Sequence, residues 1–386
     1  MREVGERDLE DLAVGAAVLG TGGGGNPYIG KLLAKQAIRE YGPVRLVNLD
    51  EVPDEALVVP SAMMGAPTVM VEKLPRGDEI IHAFKALEDY LGRHITHTVS
   101  IEAGGLNSTT PFSVAAQMGI PLVDCDGMGR AFPEIQMVTP TMFGVSATPM
   151  ALADEKGNTA LINTVDNRWT ERLARSITID MGATAMIALY VLTGKQLKEA
   201  MVPGTIGLAQ ELGRLIRETR AAHGDPVRAI LERLHGFQIF AGKIADVQRR
   251  TEAGFAKGEA PIEGIDGDAD SVLTIRFQNE HLVAIRNDEI VATVPDLIIV
   301  LDAESGEPVT TEELRYGFRV AVIVTPCDAR WRTAAGLALV GPRYFGYDVD
   351  YVPVEERFGC QGGASGTGLP GRSPQGGIPP SEQAVL

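Results

Sequence analysis

Apolar residues recur at helical spacing from the start of the chain. Leu9, Leu12, Ala13, Ala16, Ala17 and Leu19 predict a helix over 8–19 that stops at Gly20-Thr21-Gly22-Gly23-Gly24-Gly25. Asn26 is a good N-cap and Pro27 suits the first helical position, where its missing N–H costs nothing, so a second helix is predicted over 27–41. Short β-branched apolar runs follow at 44–49, 57–60, 95–101 and 121–124, alternating with helical patterns near 78–91 and 111–118. That alternation predicts an α/β domain with a largely parallel sheet.

A turn over 154–158 and a strand over 159–163 close this first unit, which is expected to span 1–166. The pattern from 167 to 235 is mostly helical: an amphipathic stretch through Val191, a helix over 205–222, and another opened by Asp225-Pro226 and ended by Gly236. Period-two alternation then takes over at 271–279, 281–286, 297–302 and 319–325. A helical connector feeding a β-rich C-terminal domain is therefore expected over 167–357. The stretch 358–386 is Gly, Pro, Ser and Gln with few large apolar residues, a composition that cannot repay ordering entropy, and a disordered tail is expected there.

With 386 residues, two domains that each bury a core fit the usual domain size. Lys and Arg number 35 against 51 Asp and Glu, a formal net charge of -16 that speaks against nucleic-acid or anionic-membrane binding. No apolar run is long enough to span a bilayer, and the first residues, MREVGERDLEDL, are charged where a signal peptide needs an apolar stretch. A cytoplasmic homo-oligomer acting on a small molecule, with no nucleic-acid or membrane partner, is the expectation. Cys125, Cys327 and Cys360 form no CxxC pair, so any cysteine that matters acts singly.

The glycine run is the first candidate for chemistry. N–H groups at Gly22, Gly23, Gly24 and Gly25, with Asn26 beside them, can converge on an anion or carbonyl oxygen near the positive end of the next helix. No strand precedes the loop and no Lys-Ser/Thr follows it, so no nucleotide cofactor is expected. The plainer alternative is an interhelical turn, although four glycines cost roughly 0.5 to 1 kcal/mol each relative to alanine, more than a turn requires.

The second candidate, Val123-Asp124-Cys125-Asp126-Gly127-Met128-Gly129-Arg130-Ala131-Phe132-Pro133-Glu134, follows an apolar strand, at the end where open α/β sheets bind ligands. Either Cys125 is a nucleophile, or Asp124 and Asp126 move protons for water or bind a divalent metal, with Arg130 and Glu134 at hand. The flanking acids disfavour a thiolate, and a buried structural thiol is the third reading. Ser100-Ile101-Glu102-Ala103-Gly104-Gly105-Leu106-Asn107-Ser108 repeats the logic, with Glu102 as a general base and Asn107 as an orienting group or helix cap. In the second half, Phe277-Gln278-Asn279-Glu280, Leu314-Arg315-Tyr316-Gly317 and the segment from Gly341 to Tyr347 either line an interdomain cleft or are ordinary strand turns. His281 reads as a surface strand residue.

The strings LGTGGGGNPYIG, EAGGLNS, VDCDGMGRAFPEIQM, FAGKIADVQRRTEAGFAKG, FQNEHL, VPDLIIVLD, LRYGFRV and GPRYFGYD occur in that order. Together they resemble the S-methyl thiohydantoin desulfurase family, a hydantoinase-like family once catalogued as a domain of unknown function. The resemblance implies an α/β domain before a β-rich one. It also implies hydrolysis of the C2–sulfur bond of five-membered thiohydantoin-type rings, such as those of ergothioneine breakdown, to give a hydantoin. It carries no catalytic residues over. For that chemistry the expected roles are charge stabilisation by Gly22 to Gly25, proton removal by Asp124 or Glu102, and proton donation or metal binding by Asp126 and Glu134. Asn107 or Arg130 would orient the ring. The alternatives are a metal-dependent hydantoinase-like ring hydrolase and a non-catalytic accessory subunit of a hydantoinase or oxoprolinase.

Overall fold

The computed structural model describes residues 1–65, 69, 73 and 75–359. Among them, a nine-stranded sheet forms the N-terminal layer. Its parallel block runs Val44–Val47, Leu122–Val123, His97–Ser100, Leu57–Gly65, each strand beside the next. Antiparallel strands extend it on both sides: Arg2–Val4 at one edge, and Thr184–Ala188, Met150–Ala153 and Thr159–Ile162 at the other. The sheet is thus mixed, and parallel where short α/β crossovers link its strands. Asn26 caps the helix Pro27–Tyr41 as its position foretells, accepting from Tyr28 N and Ile29 N.

Two strands depart from the sequence reading. Pro60 does not end its strand, which continues to Gly65 and carries Met63 and Met64 onward. The helix expected through Val191 stops at Asp180, and Thr184–Ala188 is a fully buried strand. A short apolar run buried on both faces lacks the alternation that separates strand from helix. This strand lies beyond residue 166 yet belongs to the first sheet, and the helix Thr205–Ala221 packs along Asp8–Leu19. Asp8–Leu19, apolar on nearly all sides, is accordingly buried from Leu9 to Leu19 save Glu10, Asp11 and Val14.

The C-terminal unit is an eight-stranded sheet among the described residues, antiparallel throughout. Its order is Glu289–Thr293, Glu280–Arg286, Val272–Gln278, Phe255–Gly264, Phe237–Ile244, Arg319–Thr325, Leu297–Asp302, with Gln248–Glu252 paired to Phe255–Gly264. The turn between Val272–Gln278 and Glu280–Arg286 meets the glycine loop: His281 N donates to Thr21 O at 2.8 Å and Thr311 N to Gly22 O at 2.8 Å. Val354–Phe358 is a short helix where the tail was expected to begin, and the rest of that expected tail, from 360, lies outside the described residues. No helix among the described residues is long and apolar enough to cross a membrane.

Candidate active site

The loop after His97–Ser100 folds back on itself. Ser100 Oγ donates to the carbonyls of Glu102 (2.6 Å) and Asn107 (2.9 Å), which draws both side chains to the carboxyl end of the parallel block. Asn107 then bridges: its Nδ2 donates to Glu102 Oε1 at 2.6 Å and its Oδ1 accepts from Met63 N at 2.8 Å. Glu102 is 6% exposed. Burial pushes its carboxyl up to about 7, against the opposing pull of Asn107, the Phe132 N–H and Arg130.

A second carboxylate arrives from the other domain. Asn279, in left-handed backbone at φ 59°, turns the hairpin and is pinned on both sides: its Oδ1 accepts from Ala256 N, and its carbonyl from Thr311 Oγ1, both at 2.8 Å. Glu280 follows, 2% exposed, with no partner among the described residues for its Oε2. Burial first, and then the charge of Glu102, raise its carboxyl well above the ordinary value, while Arg130 lowers it. Glu102 and Glu280 share a cavity of about 80 Å³ with Gly24, Gly25, Glu134, Glu171 and Arg175, over an apolar floor that includes Met63, Met128 and Phe132. The glycine run is explained by contact: a Cβ at Gly23 would collide with the Glu280 carboxylate, and one at Gly24 with Gly104 Cα. Among the described residues no acceptor takes the N–H of Gly24 or Gly25.

Of the residues singled out in the sequence, Glu102, Asn107, Glu134, Gly24 and Gly25 line this cavity, as do Asn279 and Glu280 from the segment expected either to line a cleft or to turn a strand, whereas Asp124, Cys125, Asp126, Gly22, Gly23, Asn26 and Arg130 do not. Asp124 caps the helix Thr205–Ala221, its Oδ1 accepting from Ile206 N (2.9 Å) and Gly207 N (3.0 Å). Asp126 closes its own turn, accepting from Met128 N at 3.0 Å and Gly129 N at 2.9 Å, and burial raises it to about 8. Cys125, paired across from Pro203, is wholly buried in the core, and burial together with Asp126 and Asp124 raises its thiol far above the usual value. It therefore lacks both the access and the thiolate that a nucleophile needs. Asn26 is spent as a helix cap. Gly22 touches the His281 ring, and Gly22 and Gly23 seat the second domain without lining the cavity. Arg130 is buried between the glycine loop and the second domain and serves as a clamp, without lining the cavity. His281 is fully buried, not on the surface, with Nδ1 2.9 Å from Ile298 O. Asp126 and Glu134 do not assemble a metal site: among the described residues no three His, Cys, Asp or Glu side chains converge as a metal ion requires.

Glu171 and Arg175 were passed over because their helix read as a connector. Their i,i+4 spacing beside the small buried residues Thr170, Ala174 and Thr178 was the available signal. Cys125→Ala is expected to keep kcat within a few-fold of wild type and to cost about 1 kcal/mol, the loss of one methyl-sized buried group. Denaturant unfolding and steady-state rates check both, and a loss of turnover with an intact fold would return the thiol to the chemistry.

Two adjoining family models together match residues 7–354: "S-Me-THD-like, N-terminal domain" over 7–164 and "S-Me-THD-like, C-terminal domain" over 165–354. A crystal structure of a protein from Chromobacterium violaceum, determined by a structural genomics consortium, is similar at 26% identity and a TM-score of 0.76, covering 92% of this chain and 100% of that one. No curated protein matches.

Proposed function

The chain belongs to the S-Me-THD-like family, and on that footing we propose that it hydrolyses the C2–sulfur bond of a thiohydantoin or S-methyl thiohydantoin ring to leave a hydantoin. The observation that carries this reading is the pair Glu102 and Glu280: two buried carboxyls, one from each domain, on one cavity, with the first raised to about 7 and the second raised well above the ordinary carboxyl value by burial and by the charge of the first. Two buried carboxyls that raise one another resist ionising together, so the pair favours sharing one proton, which is the state that acid and base catalysis in one cycle requires.

For an S-methylated ring the cycle closes without net proton exchange. The Glu102 carboxylate takes a proton from water as the oxygen bonds to C2, and protonated Glu280 delivers its proton to the ring nitrogen of the C2=N bond. The adduct carries hydroxyl and S-methyl groups on C2. The C–S bond then breaks with its electron pair on sulfur, Glu102 returns its proton to give methanethiol, and Glu280 takes the hydroxyl proton as the carbonyl forms. In a ring with a C2=S bond the electron pair of that double bond moves to sulfur as water adds, sulfur takes the Glu280 proton, and the later steps release the C2–SH group with the Glu102 proton as hydrogen sulfide. Charge that develops on sulfur or oxygen meets the unengaged N–H groups of Gly24 and Gly25, donors already oriented before the reaction. Asn107 holds Glu102 in place through its Nδ2 hydrogen bond to Oε1.

Anaerobic incubation of the protein with thiohydantoin and S-methyl thiohydantoin, following sulfide or methanethiol and the product mass, tests the reading. Thiol release with an intact hydantoin is the expected result. A ring-opened product would instead make the protein a ring hydrolase.

A further inference from the structure

Four carboxylates, Glu102, Glu134, Glu171 and Glu280, line the cavity against one guanidinium, Arg175. That guanidinium is already engaged, by Glu171 Oε1 at 2.5 Å and by the carbonyls of Gly254 (3.2 Å) and Pro133 (3.3 Å). Apart from the N–H groups of Gly24 and Gly25 and the one proton shared by Glu102 and Glu280, the wall is therefore one of acceptors. Glu134 stands apart within it because both of its donors lie on one oxygen: Tyr344 OH, at 2.7 Å, and Gln136 Nε2 both donate to Oε2. Gln136 Nε2 also donates to Tyr344 OH at 3.0 Å, which closes the three groups into a ring and fixes the plane of the carboxylate. Among the described residues no donor reaches Oε1.

We infer that Glu134 Oε1 determines specificity by accepting a ring N–H of the ligand, so the site takes five-membered rings with an unsubstituted nitrogen on this side and rejects their N-methyl derivatives. The class of ring rests on the function proposed above, whereas the acceptor rests on geometry alone. The held oxygen makes a diagnostic substitution available. In Glu134→Gln the new amide must turn its carbonyl oxygen toward Tyr344 and Gln136, which puts its NH2 where Oε1 was. A donor then faces the ring N–H.

Calorimetric titration of the full chain with hydantoin, 1-methylhydantoin and 3-methylhydantoin reads binding without turnover. Hydantoin is expected to bind, and at least one methylated isomer to bind about 10- to 100-fold more weakly, the worth of a hydrogen bond to a charged group. Glu134→Gln is expected to weaken hydantoin by a similar factor and to remove the discrimination. Should that variant fail to fold, Tyr344→Phe, which releases one constraint on Oε2, is expected to narrow the same gap. The inference is overturned if hydantoin does not bind at millimolar concentration, if both methylated rings bind as hydantoin does, or if the discrimination survives the substitution. Desulfurisation without N–H selectivity would sink the inference and leave the proposed reaction standing. Selectivity without desulfurisation would do the reverse.

Discussion

Glu280→Gln is expected to lower kcat/KM for desulfurisation by about 10²- to 10⁴-fold, the usual contribution of a positioned general acid, while the protein melts no lower than wild type at pH 8. The two effects have one cause. Glu280 is buried and its carboxyl titrates well above the ordinary value, so the folded state holds a proton that the unfolded state gives up once pH passes the free carboxyl range. Its contribution to stability is complete below about pH 4.5 and is lost as pH rises toward the folded value, at about 1.4 kcal/mol per unit. Glu102, raised to about 7, loses stability in the same direction between about 4.5 and 7. Wild type should therefore be most stable in mild acid, and the substituted protein, with a neutral isostere at 280, should show a shallower decline. Activity should run the other way at first, rising with pH as Glu102 becomes a base near 7 and falling once Glu280 gives up its proton. Thermal melts and kcat/KM from pH 5 to 9 on both proteins check the pair of slopes. A variant that turns over normally would remove Glu280 from the chemistry, and one that melts far below wild type at pH 8 would mean that the carboxyl is there for structure.

What the sequence discloses and what it hides follow from the range of the interactions involved. The cap at Asn26, the helix stop at Gly20 and the alternation of Val272–Gln278 depend on neighbours within a few residues, and each is legible. The glycine run also announces a close approach, because its entropic cost exceeds what a turn needs, but not what approaches. The answer, Gly104 and Glu280, lies far along the chain. Asp124-Cys125-Asp126 was read through the rule that strand ends bind ligands. The helix that begins at Thr205 instead brings its orphan N–H groups to Asp124, and only the folded topology brings that helix there. Glu102 follows the same rule at the next strand and does reach the cavity, so the rule chose the correct edge of the sheet and could not choose among its loops. His281 alone was read as standing on the wet face of its strand, while Glu280 was placed either in an interdomain cleft or in a strand turn. The face taken as wet is covered by the other domain.

Arg130→Met is expected to destabilise the protein by about 3–5 kcal/mol, the cost of removing one partner from a buried charged network, the largest stability loss expected from a residue outside the cavity. The guanidinium is fully buried and pulled down to about 10, which leaves it charged at neutral pH. It donates to Pro295 O (2.9 Å), Asp296 O (2.7 Å), Thr21 Oγ1 (2.8 Å) and, more loosely, His281 O (3.3 Å), and lies 4.4 Å over the Phe132 ring. Those acceptors come from the glycine loop and, in the second domain, from the turn before Leu297–Asp302 and the strand Glu280–Arg286, so one side chain joins the two walls of the cavity. Methionine fills a similar length but leaves each acceptor buried without a donor. Lysine keeps the charge, yet a single ammonium cannot span acceptors set for a planar fork, so Arg130→Lys should recover only part of the loss. The same cation steadies the ionised forms of Glu102 and Glu280. Without it both carboxyls climb, and the rising limb of kcat/KM against pH should move alkaline of its position near 7 in whatever fraction of Arg130→Met remains folded, and less in Arg130→Lys, which keeps the charge. Unfolding in urea measures the first effect and the pH profile the second. A clamp that only held the domains together would move stability and leave the profile where it was, so the two readings together separate a structural bolt from the charge that sets the protonation of the catalytic pair.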